Sequence, residues 1–115
     1  MKDNYLMPFI AAIEEEPTLS PTKKDILCLV LTTMQIDSEG LALAELSTLM
    51  KFSRMRLYRI LRELEEAGFI SRTKKGIFMH ITAKIEAIKR LAEKQAFKKE
   101  LLNNTLKLRR VSAPK

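Results

Sequence analysis

Between Ser53 and Arg62 the chain carries four arginines and a tyrosine without one acidic residue. Apolar Leu57, Ile60, Leu61 and Leu64 recur through the same stretch at the three-and-four spacing of a single buried helical face. Ser53 is a suitable N-cap, because its hydroxyl can accept a bond from one of the unpaired amides that open a helix. Gly68 supplies the left-handed residue that closes one. One side of this helix suits a core, and the other, with Arg54, Arg56, Tyr58, Arg59 and Arg62, suits a polyanion.

The flanking segments extend the pattern. A shorter helix is predicted from about Ala44 to Met50, with Leu46, Leu49 and Met50 inward and Lys51-Phe52 as a tight turn into the arginine-rich helix. After Gly68, the runs 69–73 and 77–82 alternate loosely around Lys74-Lys75-Gly76, which reads as a hairpin with a glycine turn and a lysine pair at its tip.

With helix, turn, helix and basic hairpin in that order, residues 41–91 resemble winged-helix regulators of the MarR type. The resemblance rests on Glu45-Leu46, Phe52-Ser53-Arg54, Arg59-Ile60-Leu61, the exit Leu64-Glu65-Glu66-Ala67-Gly68-Phe69-Ile70, and Ile81-Thr82 leading into a last helix. The exit motif is fairly specific for winged helices in general and weak for any one subfamily. The chain departs from the family where Ala42 replaces a capping Thr or Ser. It departs again where Lys51 replaces a turn glycine, at a cost of about 1 kcal/mol in a left-handed position. Its wing is also short. By architecture it is similar as well to the replication-terminator type of winged helix, which dimerises through one long C-terminal helix. The resemblance implies a ligand-responsive regulator with an apolar pocket near a dimer interface, and no polar constellation in the sequence names a ligand.

Charge is laid out unevenly. Of the formal +7 on 115 residues, positions 71–115 hold 13 Lys and Arg against three acids, which leaves the first 70 residues slightly acidic. A basic half on a compact chain points to nucleic acid or to an anionic surface. No apolar run approaches the ~18 residues of a spanning helix, and the N-terminus lacks a signal peptide's basic start and cleavage site, so no membrane partner is expected. The single cysteine, Cys28, cannot form an internal disulfide; it suits a reducing, cytoplasmic setting and is expected to be a buried small hydrophobe rather than a redox sensor.

Ser20 as N-cap and Pro21 at the first helical position start a helix that reaches about Gln35, although Ile26 to Leu31 would also suit a buried strand. Pro8 is expected to open an earlier helix ending near Glu16. Leu41–Leu43 is expected as a third short strand beside the hairpin. The last helix is expected from a Thr82 cap to about Arg109. Ile85, Ile88, Ala92 and Ala96 lie on one of its faces and Phe97, Leu101 and Leu108 roughly opposite, so its far half is expected to pack on a second subunit. The fold class is thus mainly α with a small β-hairpin wing: a winged helix-turn-helix with a long C-terminal dimerisation helix. The expected division is an N-terminal helical arm (1–19), the winged domain (20–82), the dimerisation helix (83–110) and a disordered tail (111–115).

No phosphate loop, nucleophile elbow or metal cluster is visible, so neither catalysis nor a metal or other cofactor is expected. His80 has no ligand companion and reads as structural; the paired acids Glu65-Glu66 and the run Glu14-Glu15-Glu16 read as solvated. The expected partner is duplex DNA, bound by a homodimer. Ser53, Arg54, Met55, Arg56, Tyr58 and Arg59 are candidates for base edges and nearby phosphates; Arg62, Arg72, Lys74 and Lys75 are candidates for the backbone. Phe97, Leu101, Leu102 and Leu108 are candidates for the dimer interface. Repression of transcription is the favoured role. Control of plasmid or viral replication or segregation, and a protein-interaction module without DNA, remain open.

Overall fold

The computed structural model describes residues 2–112 apart from Ser38, Gly76 and Ile77; the side chains of residues 2–5, 75 and 109–112 also lie outside the described set. Among the described residues the chain forms α1 (Lys2–Glu15), α2 (Pro21–Met34), β1 (Leu41–Ala42), α3 (Leu43–Met50), α4 (Arg54–Glu66), β2 (Ile70–Lys75), β3 (Phe78–Ala83) and α5 (Ile85–Ser112). The fold is mainly helical, with a three-stranded antiparallel sheet in the order β1-β3-β2.

Local chemistry sets several boundaries. Ser20 Oγ accepts from Lys23 N at 3.3 Å and opens α2, whose Ile26, Leu27, Val30 and Leu31 are buried on one stripe. That stripe makes the Ile26 to Leu31 run a helix rather than a strand. Ser53 Oγ accepts from Arg56 N at 3.2 Å and opens α4. At the other end of α4, Gly68 adopts φ +88°, while Gly68 N donates to Glu65 O and Phe69 N to Leu64 O, both at 3.0 Å. This is the paired-bond glycine termination that satisfies the helix's last carbonyls. Lys51 takes the left-handed turn at φ 57° between α3 and α4, and Ala42 gives α3 no side-chain cap.

Gly40 decides how β1 reaches the sheet. With φ +94°, it lies so close to β3 that a Cβ would collide with the Ile81 carbonyl oxygen and stand 2.7 Å from Thr82 Cγ2. The pairings Leu41↔Ile81 and Ala42↔His80 follow directly.

The elements share one core. Leu6 and Ile13 of α1, the α2 stripe, Leu41, Leu46, Leu57, Leu61, Leu64, Ile70, Ile81 and Ile88 all belong to it, each large side chain stabilising the fold by about 1.5–3 kcal/mol. The segment read as an N-terminal arm is therefore part of that core.

The structure corrects several expectations. Helix α1 begins at Lys2 and runs through Pro8; Leu6 is buried and Phe9 packs on the core, so tertiary burial carries the helix across a residue that costs about 3 kcal/mol in a helix interior. Leu49 is 58% exposed, because Leu43, Leu46 and Met50 take the inward side of α3. Lys74 and Lys75 belong to β2, opposite Met79 and Phe78, and not to the turn. Thr82 and Ala83 extend β3, since Ala83 pairs with Ile70 and is buried, so α5 starts three residues beyond the expected cap. Glu16 is not solvated; it is 4% exposed and accepts from Thr18 Oγ1 at 2.5 Å and from Gln95 Nε2 at 3.2 Å. Those bonds, the Thr18 one first, hold its carboxyl below the usual range and join the α1 end to α5.

α5 has 28 residues, about 42 Å of helix. Ile88 and Leu91 are buried and Gln95 also donates to Ala12 O at 2.9 Å, whereas every position from Ala96 to Leu108 is exposed. The helix includes residues 111 and 112, which the sequence assigned to the tail; residues 113–115 lie outside the described residues.

Candidate nucleic-acid interface

Leu57, Leu61 and Leu64 seat α4 in the core, with Ile60 half-buried at the margin. At about 100° per residue those positions occupy one side. Met55, Arg59 and Arg62 lie opposite it and Arg54 and Tyr58 on one flank, and all five are exposed. Arg56 lies on the other flank, its guanidinium carbon 4.0 Å from the centroid of the Phe52 ring. This cation–π contact ties the first turn of α4 to the preceding loop. The Ser53 hydroxyl is engaged as the cap.

Two of the acids at the far end of α4, Glu63 and Glu65, are held by a base. Lys23 Nζ stands 2.8 Å from Glu63 Oε1 and keeps that carboxyl below the usual range. Arg72 donates through Nε and Nη2 to Glu65 Oε1 at 3.0 and 2.7 Å. Glu65 is thus paired instead of solvated, and the charge of Arg72, expected on a DNA backbone, is countered within the fold. Among the described residues no ion pair engages Arg54, Arg59 or Arg62. The exposed side of α4 therefore keeps its positive charge.

The hairpin stands beside this face. Lys74 is exposed, while the side chain of Lys75 and the turn residue Gly76 lie outside the described residues. Between the start of α3, the early turns of α4 and the hairpin runs a cleft of about 390 Å³, whose lining includes Leu43, Ser47, Arg54, Tyr58, Lys74, Phe78 and Met79. Of the residues expected at the interface, the cleft gathers Arg54, Tyr58 and Lys74; Met55, Arg59 and Arg62 lie on the open helix face. Phe78, 60% exposed, was not anticipated. Alternation along β3 places it on a face but gives no sign that the ring borders a cationic cleft.

The second candidate surface is the far half of α5. Phe97, Leu101, Leu102 and Leu108 are all exposed, and so is Leu106, which the sequence reading omitted although it follows Leu102 by one turn. Lys99 of this helix pairs with Glu15 at 2.8 Å.

Other groups offer little chemistry. Among the described residues no cluster of His, Cys, Asp or Glu could hold a metal, and no helix is long and apolar enough to cross a membrane. Cys28 is half-buried rather than buried, and burial together with Glu14 and Asp25 pushes its thiol up to about 11, which disfavours the reactive thiolate. His80 sits in β3 between Ala42 and Thr73, and its Nδ1 is buried without a hydrogen-bond partner among the described residues. No family model, curated protein or solved structure matches the chain.

Proposed function

We propose that this chain is a winged-helix protein that binds duplex DNA sequence-specifically as a homodimer, and that it acts as a transcriptional regulator of the repressor type. One observation carries the reading: α4, anchored by three buried leucines, turns Arg54, Arg59 and Arg62 outward, with no acid between Ser53 and Arg62, immediately beside a lysine-bearing hairpin. A helix of that chemistry suits the major groove, where an arginine fork matches the two acceptors of guanine. Arg54, Met55, Tyr58 and Arg59 are the candidates for base edges and adjacent phosphates, with Arg62 and Lys74 on the backbone. Arg56 serves the turn through Phe52, and Arg72 braces the hairpin against α4 through Glu65.

The homodimer reading draws on the exposed leucines and Phe97 of α5, which a second copy would cover. Twofold symmetry then sets two copies of α4 about one helical turn of DNA apart, on an inverted repeat.

The test is the salt dependence of duplex binding by fluorescence anisotropy, after a preferred sequence has been selected from random duplexes. Each phosphate neutralised releases counterions, so the logarithm of the association constant should fall linearly with the logarithm of salt concentration, with a slope of about −0.9 per contact. Absent or salt-insensitive duplex binding would favour a protein-interaction module instead.

A further inference from the structure

We propose that the cleft between α4 and the hairpin is a site for one unpaired nucleotide, its base against the Tyr58 and Phe78 rings and its phosphate on Arg54 and Lys74. The inference rests on the DNA-binding reading and deepens it, because it names a structural feature of the DNA that the protein prefers.

Three observations converge. The lining combines two aromatic rings with two cations and contains no carboxylate, so it is complementary to an aromatic anion and not to an apolar ligand alone. Leu43 and Met79 give it an apolar wall that a bare phosphate would leave unused. Its volume of about 390 Å³ lies in the range of small-molecule sites, enough for a nucleobase. The rings are also accessible, Phe78 being 60% and Tyr58 40% exposed.

Pairing decides which nucleotide fits. In a duplex the bases present their edges in the grooves and keep their faces stacked on one another, so an aromatic ring beside the duplex cannot lie flat on a base. A bulged, frayed or extruded base offers its face, and stacking on protein aromatics is tolerant of sequence. The neighbouring phosphate would then meet Arg54 and Lys74. Free mononucleotide carries the same pair of groups and is the other possible source of the ligand.

The experiment measures anisotropy of the full chain on a labelled duplex, on the same duplex with one unpaired adenine, and on that duplex with an abasic site as the bulge. Adenosine monophosphate is titrated separately, with the Tyr58 environment followed by NMR. The bulged adenine should raise affinity by about fivefold or more, and the abasic bulge should not. Phe78→Ala, at an exposed position, should abolish the preference while leaving binding to the paired duplex within about twofold. If instead bulged and paired duplexes bind alike while adenosine monophosphate binds, and Phe78→Ala removes it, the site stands with free nucleotide as its source. Equal affinity for bulged and paired duplexes without mononucleotide binding would overturn the proposal, as would a preference that survives Phe78→Ala or appears with the abasic bulge. Failure of the underlying reading looks different: no duplex binds at low salt, whatever the mononucleotide does.

Discussion

α4 and the far half of α5 both present an exposed face, and the two faces differ in chemistry. The exposed side of α4 holds Arg54, Arg59 and Arg62, which water solvates well; the far half of α5 exposes Phe97, Leu101 and Leu108 along one side and Leu102 and Leu106 roughly opposite, which it does not. A cationic face is stable while empty and gains from a polyanion. A long apolar strip gains about 1.5–3 kcal/mol for each large side chain that a partner covers. On the proposed function, association through α5 should come before DNA binding through α4 and hold without it.

The sharpest way to break that contrast is to make the two faces alike. Replacing both Leu101→Glu and Leu102→Glu should convert a dimer at micromolar concentration into a folded monomer, read by sedimentation equilibrium and circular dichroism. Neither residue belongs to the core, so the fold should persist. Affinity for an inverted repeat should fall by at least about 100-fold, since the second half-site is lost and the gain from linked sites disappears. A variant that stays dimeric, or a wild-type chain that is monomeric, removes α5 from the assembly.

Acting on α4 should separate the functions in the opposite direction. Arg59→Ala combined with Arg62→Ala should weaken duplex binding by roughly tenfold or more and reduce the salt slope by about 2, while the sedimentation profile and melting temperature stay as in the wild type. Loss of the dimer in this variant would mean that the two faces are not independent.

The smallest effect is expected at the brace between α4 and the hairpin. Arg72→Ala removes a half-buried, two-pronged contact to Glu65 and should cost about 0.5–1 kcal/mol in chemical denaturation. The salt slope of DNA binding should not change, because that guanidinium is already matched by a carboxylate. A slope reduced by about one unit would return Arg72 to the backbone contacts.

Much of the region between Ser20 and Ala83 was legible in the residues because its signals are local. The caps at Ser20 and Ser53 and the glycine termination at Gly68 involve atoms within a turn of each other, and the three-and-four spacing of Leu57, Leu61 and Leu64 is a property of the helix itself. Even the left-handed Lys51 could be located from the turn between two helices. Local rules failed where a distant partner outweighed them. Pro8 marks a helix start by its own chemistry, but burial of Leu6 and Phe9 draws the helix through it. Thr82 is a good cap, but the ladder from Ile70 to Ala83 holds it in a strand.

The sequence by itself determined the amphipathic character of α4, its caps, the basic hairpin that follows and the apolar surplus of α5, because composition, spacing and adjacent hydrogen bonds suffice for each. Only the tertiary structure decided that Glu65 neutralises Arg72, that Glu16 is buried between α1 and α5, and that Phe78 joins Tyr58, Arg54 and Lys74 around one cleft. Those are pairings between residues on different elements, set by how the helices and the sheet pack together, and no local pattern specifies which side chains that packing will bring within a few ångströms.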